Sequence, residues 1–127
     1  MLQPVVIDGI RTPIGKLNGA MKDIQPEEIA AFLCERSHLD IRLLDAVILG
    51  QAKQSSDQPN IARLAALMTK FPLEVQAYTV HRQCGSGMQA VQNAAQEIMC
   101  GYADFVLAGG IESMSNAQYY LREARRG

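Results

Sequence analysis

The 127-residue sequence lacks several features that mark particular classes of protein. Its three cysteines, Cys34, Cys84 and Cys100, are widely spaced and include no CxxC pair, so neither a zinc finger nor a thioredoxin-like motif is supported. A net charge of −1 gives no electrostatic basis for binding nucleic acid or an anionic membrane. No basic leader opens the chain, and no apolar run approaches membrane-spanning length. We therefore expect a cytoplasmic protein with reduced thiols and with no nucleic-acid or membrane partner.

Metal ligands are equally scarce. The pair His81-x-x-Cys84 has a spacing that two ligands can adopt, but nothing else in the sequence completes a site. We predict no metal site and no separately bound cofactor, and we keep metal binding at this pair as a minor alternative.

Short apolar runs alternate with helical patterns along the chain. The runs are nearly continuous in hydrophobicity, which is typical of strands covered on both faces of a sheet. Such alternation predicts an α/β fold with a mostly parallel sheet and helices on both faces. The predicted strands are residues 5–7, 46–49, 78–80 and 105–108.

Three helices are predicted between these strands. Pro26 suits the first turn of the first helix, and Gly101 suits the C-terminal cap of the third, which spans residues 84–100. The second helix covers about residues 60–70. The residues predicted to face the core are Ile29, Phe32 and Leu33 in the first helix, and Ile61, Leu64, Ala65 and Met68 in the second.

The third predicted helix has an unusual polar stripe. Glu97 is the only charged residue between Cys84 and Gly101, whereas a solvent-facing helix normally carries several charged side chains. This pattern suggests a helix covered on both sides, although an ordinary surface remains an alternative. The stripe consists of Gln89, Gln92, Asn93, Gln96 and Glu97, opposite Val91, Ala94, Ala95 and Ile98.

Cys84 is the candidate nucleophile. It follows a short apolar run and stands at the start of the third helical pattern, beside Gly85, Ser86 and Gly87. The positive end of a helix favours a thiolate, and small neighbours leave room for a substrate carbonyl. The alternative is an inert, buried cysteine. Because glycine is unfavourable within a helix, the two glycines beside Cys84 favour the nucleophile.

Four segments of the chain resemble motifs of the thiolases, the acyltransferases that make or cleave 3-ketoacyl-CoA. Residues 5–16 (VVIDGIRTPIGK) resemble the opening strand and R-T-P-x-G turn of that family, and residues 60–67 (NIARLAAL) resemble its second helix. Residues 82–90 (RQCGSGMQA) resemble its acyl-cysteine motif. Residues 109–115 (GGIESMS) resemble its G-G-x-E-S-M-S segment, which argues against the related ketoacyl synthases.

The resemblance implies a ping-pong acyl-CoA acyltransferase in which Cys84 accepts an acyl group from a CoA thioester. A second acyl-CoA, or free CoA, would then complete Claisen condensation or thiolytic cleavage of 3-ketoacyl-CoA. Coenzyme A would thus be part of the substrate. The resemblance also implies a five-layer α-β-α-β-α fold and a homodimer or tetramer, with the strand matching residues 78–81 pairing across the dimer axis.

Thiolases are much longer than this sequence. The resemblance therefore assigns residues 1–127 to the N-terminal part of the thiolase N-terminal domain, without the rest of that domain or the C-terminal domain. The histidine that activates the cysteine and the second, acid/base cysteine would lie in the absent portion, because His38 and His81 do not match that histidine's motif. Position 81 also holds histidine where the family usually has asparagine, and residues 54–59 lack the expected glycines. We expect the isolated chain to be inactive.

Two other interpretations stay open. The chain could be a non-catalytic half-domain that associates with itself or with a partner. A generic cysteine hydrolase is a more distant alternative, since no motif that would carry its base is visible.

Overall fold

Three parallel strands form the centre of the fold, within the residues described by a computed structural model: 2–38, 40–54 and 59–126. The strands are β1 (Ala46–Gly50), β2 (Gln76–Val80) and β3 (Val106–Gly110), in the sheet order β2-β1-β3. The helices are α1 (Pro26–Arg36), α2 (Ile61–Met68) and α3 (Ser86–Cys100). Short 3₁₀ turns occupy Ile41–Leu43, Met114–Asn116 and Ala124–Arg126.

Strand β1 is buried along its whole length and separates two apolar clusters. Val47 and Leu49 face the cluster that α1 and α2 cover, whereas Ile48 faces α3. Register pairs Ile48 with Tyr78 on β2 and with Ala108 on β3, so that these three side chains lie on the α3 face. Helices on both faces of a parallel sheet confirm the predicted α/β fold.

The helix ends follow the sequence signals. Pro26 begins α1, and Glu28 accepts a hydrogen bond from the Gln25 N–H at 2.9 Å. Asn60 caps α2 through its side-chain oxygen, which accepts from the Arg63 N–H at 3.1 Å. Gly101 ends α3 with φ of 75°, the left-handed conformation that glycine adopts without strain.

The predicted first strand is wrong. Residues 5–7 lie outside the sheet, and Val6 is 86% exposed. An apolar segment becomes part of a sheet only where a neighbouring strand pairs with its backbone N–H and C=O groups. Among the described residues, β3 has no second neighbour that could include this segment in the sheet.

Two predicted core positions are also wrong. Phe32 is 52% exposed, and its ring lies 5.0 Å from the Arg36 guanidinium. Met68 is exposed at the end of α2. Small residues take the core positions instead, because α1 and α2 pack closely against each other and leave little room for long side chains. The residues buried along these two helices are Pro26, Ile29, Ala30, Ala31 and Cys34 in α1, and Ile61, Ala62, Ala65 and Ala66 in α2.

None of the helices in the described part of the chain is both long enough and apolar enough to cross a membrane.

Candidate active site

Cys84 lies on a tight turn between β2 and α3, at the carboxyl edge of the sheet. Its side chain is exposed, and it immediately precedes Gly85, the N-cap of α3. The predicted helix start at Cys84 was therefore two residues early, because residues 82–85 form a turn in which the Gly85 N–H donates to the Arg82 carbonyl at 3.0 Å. Gln83 within this turn has φ of 48°, an unfavourable left-handed conformation for a residue with a side chain.

Ser86 closes this turn from the helix side. Its hydroxyl donates to the Gln83 carbonyl at 2.6 Å and accepts from the Arg82 N–H at 2.8 Å. The side chain is 4% exposed, so water does not compete for these bonds. Ser86 thus holds the two residues that immediately precede Cys84.

Three glycines allow the start of α3 to press onto the sheet. A Cβ atom on Gly50 would stand 2.2 Å from the Ser86 carbonyl carbon, and one on Gly110 would stand 3.0 Å from the Gly87 Cα. Both distances are shorter than ordinary carbon contacts. The two glycines beside Cys84 in the sequence are therefore explained only in part by access to the thiol, since Gly87 serves packing.

Glu112 fixes the loop that follows β1. Its carboxylate accepts from the Ala52 N–H at 2.8 Å and from the Lys53 N–H at 3.0 Å. Beside this loop, the buried Gln51 side-chain oxygen has no hydrogen-bond partner within the described residues. The end of β1 is thus tied to the segment after β3.

The polar stripe of α3 splits into two parts. Gln92 and Gln96 are exposed, whereas the other members are half-buried and face the edge strand β2. Hydrogen bonds connect this half-buried part in the order Arg82, Gln89, Asn93, Tyr78 and Glu97. The Tyr78 hydroxyl donates to the Glu97 carboxylate at 2.7 Å, and burial followed by this carboxylate raises the pKa of Tyr78.

Residues 113–116 tie the end of β3 to the N-terminal loop. Ser115 accepts from the Asn18 N–H at 2.9 Å. The Asn116 amide donates to the Lys22 carbonyl at 3.0 Å and to the Ile24 carbonyl at 3.1 Å. The segment singled out in the sequence therefore acts as a brace in the structure.

The other candidate residues lie apart from this turn. Cys34 is buried in the core, where burial raises its pKa from 9.0 to about 11. Cys100 is exposed at the opposite end of α3 from Cys84. His38 and His81 are exposed, and the described residues contain no cluster of three possible metal ligands. Most of the glycine-poor loop, residues 55–58, lies outside the described residues.

Residues 4–127 match the family model described as "Thiolase, N-terminal domain". The chain belongs to the thiolase family. Over 130 residues it is 40% identical to a 3-oxoadipyl-CoA/3-oxo-5,6-dehydrosuberyl-CoA thiolase of Escherichia coli (strain K12), covering 98% of this chain and 32% of that protein. Over 120 residues it is 42% identical to a steroid 3-ketoacyl-CoA thiolase of Mycobacterium tuberculosis, covering 91% of this chain and 30% of that protein.

The fold agrees with this assignment. The crystal structure of the Bacillus anthracis acetyl-CoA acetyltransferase superposes with a TM-score of 0.83 at 42% sequence identity. That match covers 91% of this chain and 30% of the other. This thiolase-family chain thus spans about a third of the length of the relatives that it matches.

The sequence pattern did not reveal the roles of three residues around the turn that carries Cys84. Ser86 was noted only for its small size, and Glu112 only as part of a motif. Gln51 carried no signal, because its burial depends on β1 being the central strand.

Proposed function

We propose that this chain carries the nucleophile of an acyl-CoA acyltransferase, with Cys84 as the residue that accepts the acyl group. One observation supports the proposal above others: an exposed thiol on a braced turn before α3, in a chain of the thiolase family. An accessible position near a helix N-terminus is one of the environments in which cysteines are reactive.

The chemistry divides into two half-reactions. In the first, the Cys84 sulfur, as thiolate, attacks the carbonyl carbon of a CoA thioester and forms a new C–S bond. The bond to the CoA sulfur then breaks, and CoA leaves as a thiolate that takes up a proton. The acyl group is now a thioester of Cys84, and nothing has been oxidised or reduced.

In the second half-reaction, the α-carbon of another acyl-CoA loses a proton and attacks the acyl group on Cys84. A carbon–carbon bond forms, and the Cys84 thiolate leaves. Thiolytic cleavage runs the same steps in reverse, with CoA finally taking the acyl group from Cys84. A base and oxyanion donors must assist these steps, and such groups act as a unit with the nucleophile.

The relatives support a substrate class rather than one substrate. Their names specify oxoadipyl, steroid ketoacyl and acetyl groups, all carried as CoA thioesters. We accordingly propose acyl-CoA as the substrate class, with coenzyme A as part of the substrate and not as a cofactor. We further propose that residues 1–127 act as the N-terminal part of the thiolase N-terminal domain, in a cytoplasmic homodimer or tetramer.

Incubation with acetyl-CoA tests the proposal. We expect slow, stoichiometric acetylation of Cys84, detected by peptide mass mapping, with no steady release of CoA. Cys84→Ala should abolish the adduct, and Cys100→Ala should leave it unchanged. Acetylation of Cys100 in preference to Cys84 would contradict the nucleophile assignment. Steady CoA release at about 1 s⁻¹ or faster, lost in Cys84→Ala, would contradict the expectation that this chain alone is inactive.

A non-catalytic association module is the second candidate. An apolar groove of about 500 Å³ lies between residues 3–10 and the outer edge of β3, and its exposed valines favour association with another chain. The same experiment separates the candidates. A module would remain associated but show no acetylation of Cys84.

A further inference from the structure

The turn before α3 contains a residue with a strained backbone conformation, Gln83. Gln83 has φ of 48°, a left-handed conformation that is unfavourable for a residue with a side chain. Such a conformation persists only where its surroundings hold it in place. Because Gln83 precedes Cys84, release of this strain would redirect the cysteine side chain.

Ser86 supplies the contacts that oppose this release. Its hydroxyl donates to Gln83 and accepts from Arg82, while its own N–H donates to the Gln83 carbonyl at 3.1 Å. The hydroxyl therefore bonds both residues before Cys84, although Ser86 itself comes after it. A serine hydroxyl offers a donor and an acceptor on one small side-chain atom.

The sheet prevents Ser86 from moving away. Its backbone is packed against Gly50 so closely that a single methyl group on that glycine would overlap it. Ser86 is buried, and loss of its hydroxyl would take from the Arg82 N–H the oxygen to which it donates. The turn is consequently held from the helix side, and the helix is held by the sheet.

We propose that Ser86 is a positioning residue that clamps the strained Gln83 and so holds Cys84 in its reactive orientation. The inference rests on the proposed function of Cys84. Ser86 acts through the turn and does not itself contact the acyl group.

A double-mutant cycle tests the clamp. Four forms of the full chain are compared: wild type, Ser86→Ala, Gln83→Gly and the double variant. The readout is the rate of Cys84 alkylation by iodoacetamide divided by the rate at Cys100, which is exposed at the other end of the same helix. Buried Cys34 reports in the same digest whether the fold is intact.

We expect Ser86→Ala to lower the ratio of the Cys84 rate to the Cys100 rate about tenfold. A loss of this size corresponds to the net stabilisation that a typical hydrogen bond provides. Glycine adopts a positive φ without strain, so the clamp is less needed after Gln83→Gly. In that background Ser86→Ala should lower the ratio about threefold or less. This coupling distinguishes a clamp from simple packing, which would give the same effect in both backgrounds.

Equal effects in the two backgrounds, or no effect of Ser86→Ala, would overturn the proposal. If Ser86→Ala alone exposes Cys34 to alkylation, the double variant should restore its protection, and failure to do so would also overturn the clamp. A wild-type Cys84 that reacts no faster than Cys100 would count against the proposed function as well. If wild-type Cys84 reacts faster than Cys100 but Ser86→Ala has the same effect in both backgrounds, only the role proposed for Ser86 is overturned, and the proposed function of Cys84 stands.

Discussion

Gly50 and Ser86 are in direct backbone contact, with 2.2 Å between the position of a Cβ atom on Gly50 and the carbonyl carbon of Ser86. The contact joins the central strand β1 to the first turn of α3. Gly110 on β3 meets Gly87 on the same turn. The start of the helix that follows Cys84 is therefore positioned by the central strand β1 and its neighbour β3.

Gly50→Ala should destabilise the chain by about 2 kcal/mol or more, because the added methyl group must displace backbone and not a flexible side chain. Urea unfolding followed by circular dichroism measures the change. Gly109→Ala is the matched control, since its Cβ would meet only the Leu49 side chain at 3.7 Å. Equal free energies of unfolding in the two variants would show that the close approach is unimportant.

Cys84 should be alkylated at least about tenfold faster than Cys100, and Cys34 should react last. The physical reasons are the position of Cys84 before the N-terminus of α3 and the burial of Cys34. Limiting iodoacetamide followed by peptide mapping gives the order. Denaturant provides the control, because all three thiols should then react at similar rates. Slower labelling of Cys84 than of Cys100 in folded protein would argue against a nucleophilic role.

The outer edge of β2 should support self-association. The Gln76 N–H donates to the Asp45 carbonyl and the Val80 carbonyl accepts from the Gln51 N–H, so the backbone N–H groups of Ala77 and Thr79 point away from β1. The outward Ala77 carbonyl accepts from the Asn60 side-chain amide at 3.1 Å. We expect the outward N–H groups of this edge to pair with another strand. Light scattering at micromolar concentration should give about twice the monomer mass or more.

Ala77→Pro removes one outward N–H and should shift the chain toward monomer, whereas Ala77→Val keeps the donor and should not. Val91→Glu tests the exposed side of α3, the helix whose sequence suggests that it is covered on both sides. A wild-type chain that is monodisperse as a monomer would contradict the association itself. If Val91→Glu abolishes association and Ala77→Pro does not, the interface is formed by α3 and not by the edge of β2.

Stability should fall between pH 9 and 11 because of Cys34. Burial raises its pKa from 9.0 to about 11, so the native state keeps the thiol protonated where the unfolded chain ionises it. The stabilising contribution is complete below pH 9 and is lost as pH rises toward 11. The loss should reach about 1 kcal/mol by pH 10 and roughly twice that by pH 11.

Cys34→Ala removes this dependence, and Cys100→Ala, at an exposed position, should retain it. Urea midpoints under reducing conditions at each pH provide the comparison. If the difference between wild type and Cys34→Ala is constant over this range, the thiol does not titrate as stated.

The sequence predicted the parts of the fold that depend on neighbours close along the chain. Pro26 and Gly101 mark helix ends through local backbone geometry, and each is found where predicted. The three strands of the sheet are recognisable from their apolar character, although only β1 is buried along its whole length. The alternation of strand and helix then required parallel pairing.

Features that depend on contacts between residues far apart in the sequence could not be predicted from local patterns. Residues 5–7 have the composition of a strand, but pairing needs a neighbour that no local pattern reveals. Phe32 lies outside the core because the close approach of α1 and α2 favours alanine there. At the site, Cys84 was predicted from its own neighbours. The bonds of Ser86 depend on the left-handed turn at Gln83, which the sequence does not mark with glycine.

The order of elements along the chain has a consequence for biosynthesis. All three strands and the helices between them lie within residues 46–110, so the sheet can close once the ribosome has delivered that interval. Residues 5–7 emerge earlier and find no partner strand in it. A nascent chain therefore presents exposed valine and isoleucine side chains while the strands of its sheet are still being translated.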